Sequence, residues 1–228
     1  MNKMICVNYT RLNGTLPATV IDGFLQELPA NKAESLVSLQ DSKQVTASIL
    51  GLALLGQGTK QLGMVNFSYD QLNFSPAQKP RCFLGIEFNI THSANIVACA
   101  VSLDSSLGID TETKGERSTT LLRQVFNAHE LALIQSDSRH YLDLWVKKEA
   151  VVKASGDGVR AMKTVDLEQG HARYNQQQWY LHRLLLDANE ISYLACQQAQ
   201  PEIRIQNHSF ADCVAYCAES QFRIQRYG

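Results

Sequence analysis

Two stretches decide how this chain is read: Leu107-Gly108-Ile109-Asp110-Thr111-Glu112, and Leu144-Trp145-Val146-Lys147-Lys148-Glu149-Ala150-Val151-Val152-Lys153. Leu107 and Ile109, with Val101 and Leu103 upstream, mark a buried strand, whose two-residue period puts Asp110 and Glu112 on one face. An uninterrupted run of helix formers from His140 to Ala154 predicts a helix on which Glu149 and Lys153, four residues apart, share a face. Three carboxylates and an ammonium can then converge. Such oxygen ligands suit Mg²⁺, a hard cation that commonly completes its octahedron with substrate phosphates, and a neighbouring lysine can neutralise charge on those phosphates or on a leaving group. Taken singly, each piece has a plainer reading. Asp-x-Glu fits a solvated strand edge, and Glu149 with Lys153 fits a helix salt bridge worth only tenths of a kcal/mol. Their order, their spacing and the Trp145 anchor favour a joint role.

Composition sets outer bounds. With 228 residues, 45% hydrophobic and 19% charged, the chain suffices for one large domain or two lobes near 110 residues each. No basic amino-terminal stretch followed by an apolar run is present, and no apolar segment approaches a membrane span, so a cytoplasmic protein is expected. A net charge of −1 without basic runs argues against a nucleic-acid-binding surface. The six cysteines, Cys6, Cys82, Cys99, Cys196, Cys213 and Cys217, show no Cys-x-x-Cys spacing, which points to small core residues rather than a zinc site or disulfide framework.

Along the chain, periodicity predicts a strand over 4–7, helices over 17–28, 31–39 and 42–55, and an irregular connection from Gly63 to Arg81. Gly56, Gly58 and Gly63 should break the third helix. Short apolar runs over 83–90, 95–103 and 107–110 read as neighbouring strands. Helices follow over 118–134 and 140–154, with Gly156 and Gly158 ending the second. Strands return over 163–167, 179–186, 191–196 and 203–206. Ser93-Ala94-Asn95-Ile96-Val97-Ala98-Cys99 faintly echoes Asp187 to Cys196, as two related halves would, although strands resemble one another by default.

The pattern Gly-Ile-Asp-x-Glu at 108–112, then Trp-x-x-Lys-Glu-Ala-x-x-Lys at 145–153, resembles the signature of 4′-phosphopantetheinyl transferases, the two-lobed surfactin-synthetase-activator type that activates peptide and polyketide synthase carrier proteins. The resemblance continues through Lys79-Pro80, Asn89-Ile90-Thr91-His92-Ser93, Phe126 and Glu130, and covers Lys79 to Gly158 well. It implies an α+β fold of two similar α/β lobes related by a pseudo-twofold, residues 1–103 and 104–228, with the active site between them. It implies transfer of the phosphopantetheine arm of coenzyme A to a serine of an apo acyl or peptidyl carrier protein, releasing 3′,5′-ADP. On this reading Asp110, Glu112 and Glu149 hold Mg²⁺. Glu149 acts on the serine proton, directly or through water. Lys153 binds the phosphates and stabilises the leaving group, with Lys148 contributing to the same field. Thr91 and His92 contact coenzyme A phosphates, Lys79 and Pro80 lie near the adenine, and Glu130 orients a lysine or the metal shell. A monomer suffices, with no nucleic acid and no membrane among its partners.

One departure matters. The family often brings arginines from its amino-terminal half to the 3′-phosphate, yet no Arg occurs between Arg11 and Arg81. Lys32, Lys43 and Lys60 are the only lysines between Arg11 and Lys79, none placed by alignment, and the residue before Ser48 is Ala47 rather than a basic one. Weaker discrimination for the 3′-phosphate is expected. Two other classes use the same residues: a Mg²⁺-dependent hydrolase of a nucleotide pyrophosphate, and a noncatalytic carrier-binding protein.

Overall fold

The computed structural model describes residues 4–75, 78–114 and 122–220. In chain order these form β1 (Met4–Arg11), α1 (Ala18–Leu25), α2 (Ala30–Val37), α3 (Ser42–Gln61), a short hairpin of β2 (Leu72–Asn73) and β3 (Arg81–Cys82), then β4 (Glu87–His92), β5 (Ile96–Ser102) and β6 (Leu107–Thr113). The carboxy-terminal half adds α4 (Leu122–Val125), α5 (Ala128–Ser136), α6 (Arg139–Ser155), β7 (Asp166–Glu168), β8 (His171–Tyr174), β9 (Gln177–Leu184), β10 (Glu190–Cys196), β11 (Glu202–His208) and α7 (Phe210–Ser220).

Side-chain alternation explains how these elements stack. β5 is buried along its whole length, as a strand covered on both faces must be. Val97, Cys99 and Val101 belong to the core built with Ile49, Leu50 and Leu54 of α3. Ile96, Ala98 and Ala100 point the other way and meet Leu107, Ile109, Leu194 and Cys196 of a second sheet. The first sheet has the order β11-β1-β5-β4 and the second β6-β10-β9-β8-β7. The centre is therefore sheet on sheet, with α3 outside the first sheet and α6 outside the second, where Val146, Ala150 and Val151 pack with Tyr193 and Ala195. The architecture is mixed α and β, as expected.

The 103/104 boundary falls in the turn between β5 and β6. The chain later crosses back: β11 pairs in parallel with β1, and Cys213 and Cys217 of α7 join the core of α1 and α3. The faint echo lands on β5 and β10, each an inner strand of its sheet. All six cysteines are buried and free.

Several sequence expectations are corrected. α3 runs on to Gln61 because its glycines admit close packing: a Cβ on Gly56 would lie 2.4 Å from the Tyr216 hydroxyl, and one on Gly58 2.7 Å from a Val101 methyl. The 83–90 strand begins only at Glu87, after a turn in which Gly85 has φ +73°. Residues 118–121 of the expected helix, including Leu121, lie outside the described residues. The rest splits at Asn127, whose side chain accepts from the Glu130 amide while Glu130 reaches back to the Asn127 amide, the reciprocal cap that starts α5. The 163–167 strand begins only at Asp166, because Lys163 and Thr164 close the 3₁₀ turn over Val159–Thr164. β8, joined to β9 through Asn175 and Gln176 at positive φ, was not anticipated, nor was α7. In α7, Phe210, Cys213, Val214 and Cys217 nonetheless carry a helical spacing.

Candidate metal centre

The site is built where α6 lies on β6. Gly108 sets the approach: a Cβ there would fall 2.2 Å from the Ala150 carbonyl oxygen and 2.4 Å from the Ala154 nitrogen. Only the absence of a side chain lets helix and strand come so near. The same strand face then presents Asp110 and Glu112, while Thr111 on the opposite face bonds Ser192 at 2.7 Å. α6 ends where Gly156, at φ +88°, closes the helix in the left-handed conformation. One oxygen from each of Asp110, Glu112 and Glu149 can be chosen so that all three lie within 4.8 Å of one another.

Lys153 links the set. Its ammonium donates to Asp110 Oδ1 at 2.6 Å and to Thr91 Oγ1 at 3.2 Å, and stands 3.5 Å from Glu149 Oε1. Thr91, on β4, also donates to Asp110 Oδ1 at 3.1 Å, so the first sheet touches the site directly. Burial pushes the Asp110 carboxyl up to about 7, opposed by the Lys153 charge and reinforced by Glu149. For Lys153, burial is the largest single influence and acts downward, but the charges of Asp110 and Glu149 and their hydrogen bonds outweigh it, leaving the ammonium above its ordinary range. The other oxygen of Asp110, Oδ2, is buried without a hydrogen-bond partner among the described residues. An orphaned carboxylate oxygen inside a ring of hard oxygen donors fits a divalent cation such as Mg²⁺.

His92 follows Thr91 and lines a neighbouring cleft of about 170 Å³ with Lys32, Ser48, Phe74, Pro80 and Ile90. Burial on its protein side, followed by the Lys153 charge, holds the imidazole below its ordinary pKa. Lys32, unplaced in the sequence, enters the cleft from α2 with its ammonium 5.2 Å from the centre of the Phe74 ring. Burial lowers its pKa. No local spacing links Lys32 to His92; only the fold does.

Two lysines differ from their expected surroundings. Lys148 does not face the carboxylates. It is fully buried and donates to the Met162 and Val165 carbonyls at 3.0 and 2.8 Å, with Glu130 Oε1 at 2.9 Å. It lies five positions before Lys153, which turns it to another side of the helix. Glu130 is thus buried against Lys148, and not against Lys153 of the site. Lys79 places its ammonium on Glu87 and on two main-chain carbonyls, while Pro80 reaches the cleft beside His92. Trp145, one turn before Glu149, packs with Tyr141 at a ring-centre distance of 6.0 Å.

Carboxylates clustered beside a lysine and a histidine are suited to holding a cation against a phosphate ester. Comparison with known proteins narrows this chemistry. Residues 106–211 match the 4′-phosphopantetheinyl transferase superfamily. The chain is 26% identical over 163 residues to the 4′-phosphopantetheinyl transferase gsp of Aneurinibacillus migulanus, covering 68% of each chain. It is 29% identical over 112 residues to the 4′-phosphopantetheinyl transferase HetI of Nostoc sp., covering 46% of this chain and 47% of that one. Over residues 106–211 the chain is thus similar to the 4′-phosphopantetheinyl transferase superfamily, and these similarities support a 4′-phosphopantetheinyl transferase.

Among the described residues, no helix is long and apolar enough to cross a membrane.

Proposed function

We propose that the protein transfers the 4′-phosphopantetheine arm of coenzyme A to a serine hydroxyl of an apo carrier protein. The observation that carries this reading is the buried, unpartnered Oδ2 of Asp110 within reach of Glu112 and Glu149, beside a lysine and a phosphate-sized cleft. The serine oxygen bonds to the phosphorus bearing pantetheine, the bond from that phosphorus to the bridging oxygen breaks, and 3′,5′-ADP leaves. Attack on a phosphorus shielded by anionic oxygens is limited by positioning and charge, which is what the residues supply. Mg²⁺ held by Asp110, Glu112 and Glu149 would offset the pyrophosphate charge. Glu149, at the open edge of the set, receives the serine proton directly or through water. Lys153, kept charged by its two carboxylates, faces the departing phosphate.

The cleft of His92 and Pro80, next to Thr91, receives the nucleotide end. Lys32 supplies there the ammonium that the amino-terminal half lacks as arginine, and one lysine in place of several basic groups keeps discrimination for the 3′-phosphate modest. The two lobes, 1–103 and 104–228, with β11 and α7 of the second returning to pack on the first, act as one unit with the site between them, related by a pseudo-twofold. A monomer acts in the cytoplasm, without nucleic acid or membrane. Support for this arrangement comes from Thr91 and Asp110, which join the two sheets at the site.

The test is the intact mass of an apo carrier after incubation with the protein, coenzyme A and Mg²⁺, with 3′,5′-ADP followed in parallel. A gain of one phosphopantetheine, with 3′,5′-ADP appearing only when carrier is present, is the expected result. Nucleotide release without carrier would instead make the protein a hydrolase, and coenzyme A binding with neither product would make it a carrier-binding protein.

A further inference from the structure

β6 is an edge strand of its sheet, and its free edge runs beside β4 without main-chain pairing. Side chains of the first lobe close that gap. Asn89 Oδ1 accepts from the Ile109 amide at 2.9 Å, and two residues further along β4, on the same face, Thr91 donates to Asp110. At the start of the seam stands Lys79. Its side chain is only 13% exposed, and its ammonium donates to Glu87 Oε2 on β4 at 3.0 Å, to the Leu107 carbonyl on β6 at 2.9 Å and to the Ala154 carbonyl on α6 at 3.2 Å. Three donors thus meet three acceptors on three elements, which leaves this ammonium no proton to offer a ligand. One of the acceptors lies in the last turn of α6, where carbonyls lack helical partners and a cation is favoured.

We propose that Lys79 is a positioning residue: it locks the strand carrying Asp110 and Glu112 and the helix carrying Glu149 and Lys153 against the lobe carrying Thr91 and His92. Leu107 is three residues before Asp110, and Ala154 directly follows Lys153, so movement at either carbonyl is passed to the site through rigid backbone. The crowding is tight enough to fix the side chain, since a Cβ on Gly156 would lie 3.2 Å from the Lys79 Cβ. This role differs from nucleotide contact. It rests on the transferase reading only for its effect on turnover.

Lys79→Met tests it through two readouts on one protein, steady-state transfer and Mn²⁺ binding by electron paramagnetic resonance. Misplacement of the site predicts a kcat lower by about tenfold or more, with KM for coenzyme A within about twofold. Mn²⁺ affinity should fall severalfold although Lys79 touches none of the three carboxylates in the ion site. Glu87→Gln, at a half-exposed position that tolerates change, should move kcat and Mn²⁺ affinity in the same direction by less, and it serves if Lys79→Met does not fold. A rise of about tenfold in KM at unchanged kcat would make Lys79 a coenzyme A ligand and overturn the proposal. Unchanged kcat and Mn²⁺ affinity in both variants would overturn it too. Wild-type protein that fails to transfer refutes the function instead, and Mn²⁺ affinity then decides the role of Lys79 alone.

Discussion

Two lysines five residues apart on α6 meet carboxylates in opposite ways. Lys148 is sealed: its ammonium is divided among Glu130 and two carbonyls, its side chain has no exposure, and burial depresses its pKa against the pull of Glu130. Lys153 keeps 26% of its side chain exposed and sits between two carboxylates, one of which retains an orphaned oxygen. In the Lys148 cluster Glu130 Oε1 also lacks a hydrogen bond, but it stands 2.9 Å from the buried ammonium, and the cluster fixes the Val159–Thr164 turn and α5 against α6. An unsaturated cluster stores binding capacity at a local cost, as functional sites do. On the proposed function, two lysines of one helix therefore separate into a structural role and a chemical one.

Removing a member of each cluster should sharpen that contrast. Asp110→Ala should lower transfer by about 10³-fold, comparable to losing a key electrostatic group, while the melting temperature holds or rises because a buried, poorly satisfied carboxylate is gone. Lys148→Met should do the reverse. Leaving Glu130 buried and unpaired should cost about 3–5 kcal/mol in urea unfolding, with kcat of the folded fraction nearly unchanged. Gly108→Ala should affect both sides of the comparison, pushing α6 off β6 at a cost of about 1–3 kcal/mol and lowering kcat as Glu149 and Lys153 withdraw.

The open cluster should also answer to pH. A carboxyl raised to about 7 in the folded protein holds a proton that an incoming cation must displace. Mn²⁺ affinity should therefore drop by about tenfold per unit as pH falls below 7 and level off above it. Without metal the linkage runs the other way. The folded state binds this proton more tightly than the unfolded chain, so the contribution of Asp110 to stability is full below its ordinary value of 3.8 and is lost as pH rises to about 7. Urea unfolding at pH 5 and pH 8, with Asp110→Asn as control, checks the sign. The smallest effect is expected at the cleft, where Lys32→Ala should raise KM for coenzyme A by about threefold to tenfold at constant kcat, and should do so less for dephospho-coenzyme A.

The site was legible to the extent that it is written in short-range periodicity. The strand face of Asp110 and Glu112 and the helix face of Glu149 and Lys153 follow from spacings of two and four, and the structure brings them together. What escaped was set by long-range packing. Gly56 and Gly58 look like helix breakers until Tyr216 and Val101 arrive against them. Lys148 looks like a partner of Lys153 until the Met162 and Val165 carbonyls claim it. Lys79 stands at the start of the stretch that carries the sequence resemblance, but its partners lie 8, 28 and 75 residues away. Lys32 and His92, 60 residues apart, come to one cleft only through the fold. The return of β11 and α7 to the first lobe is likewise a topological fact without a local signal.

The most direct measurement of the central claim compares wild-type protein with Asp110→Asn, which keeps the shape of the side chain and removes its charge, by intact mass of an apo carrier incubated with coenzyme A and Mg²⁺. The account predicts one phosphopantetheine added by the wild type and essentially none by a variant that melts at or above the wild-type temperature. Transfer by Asp110→Asn at the wild-type rate would contradict it.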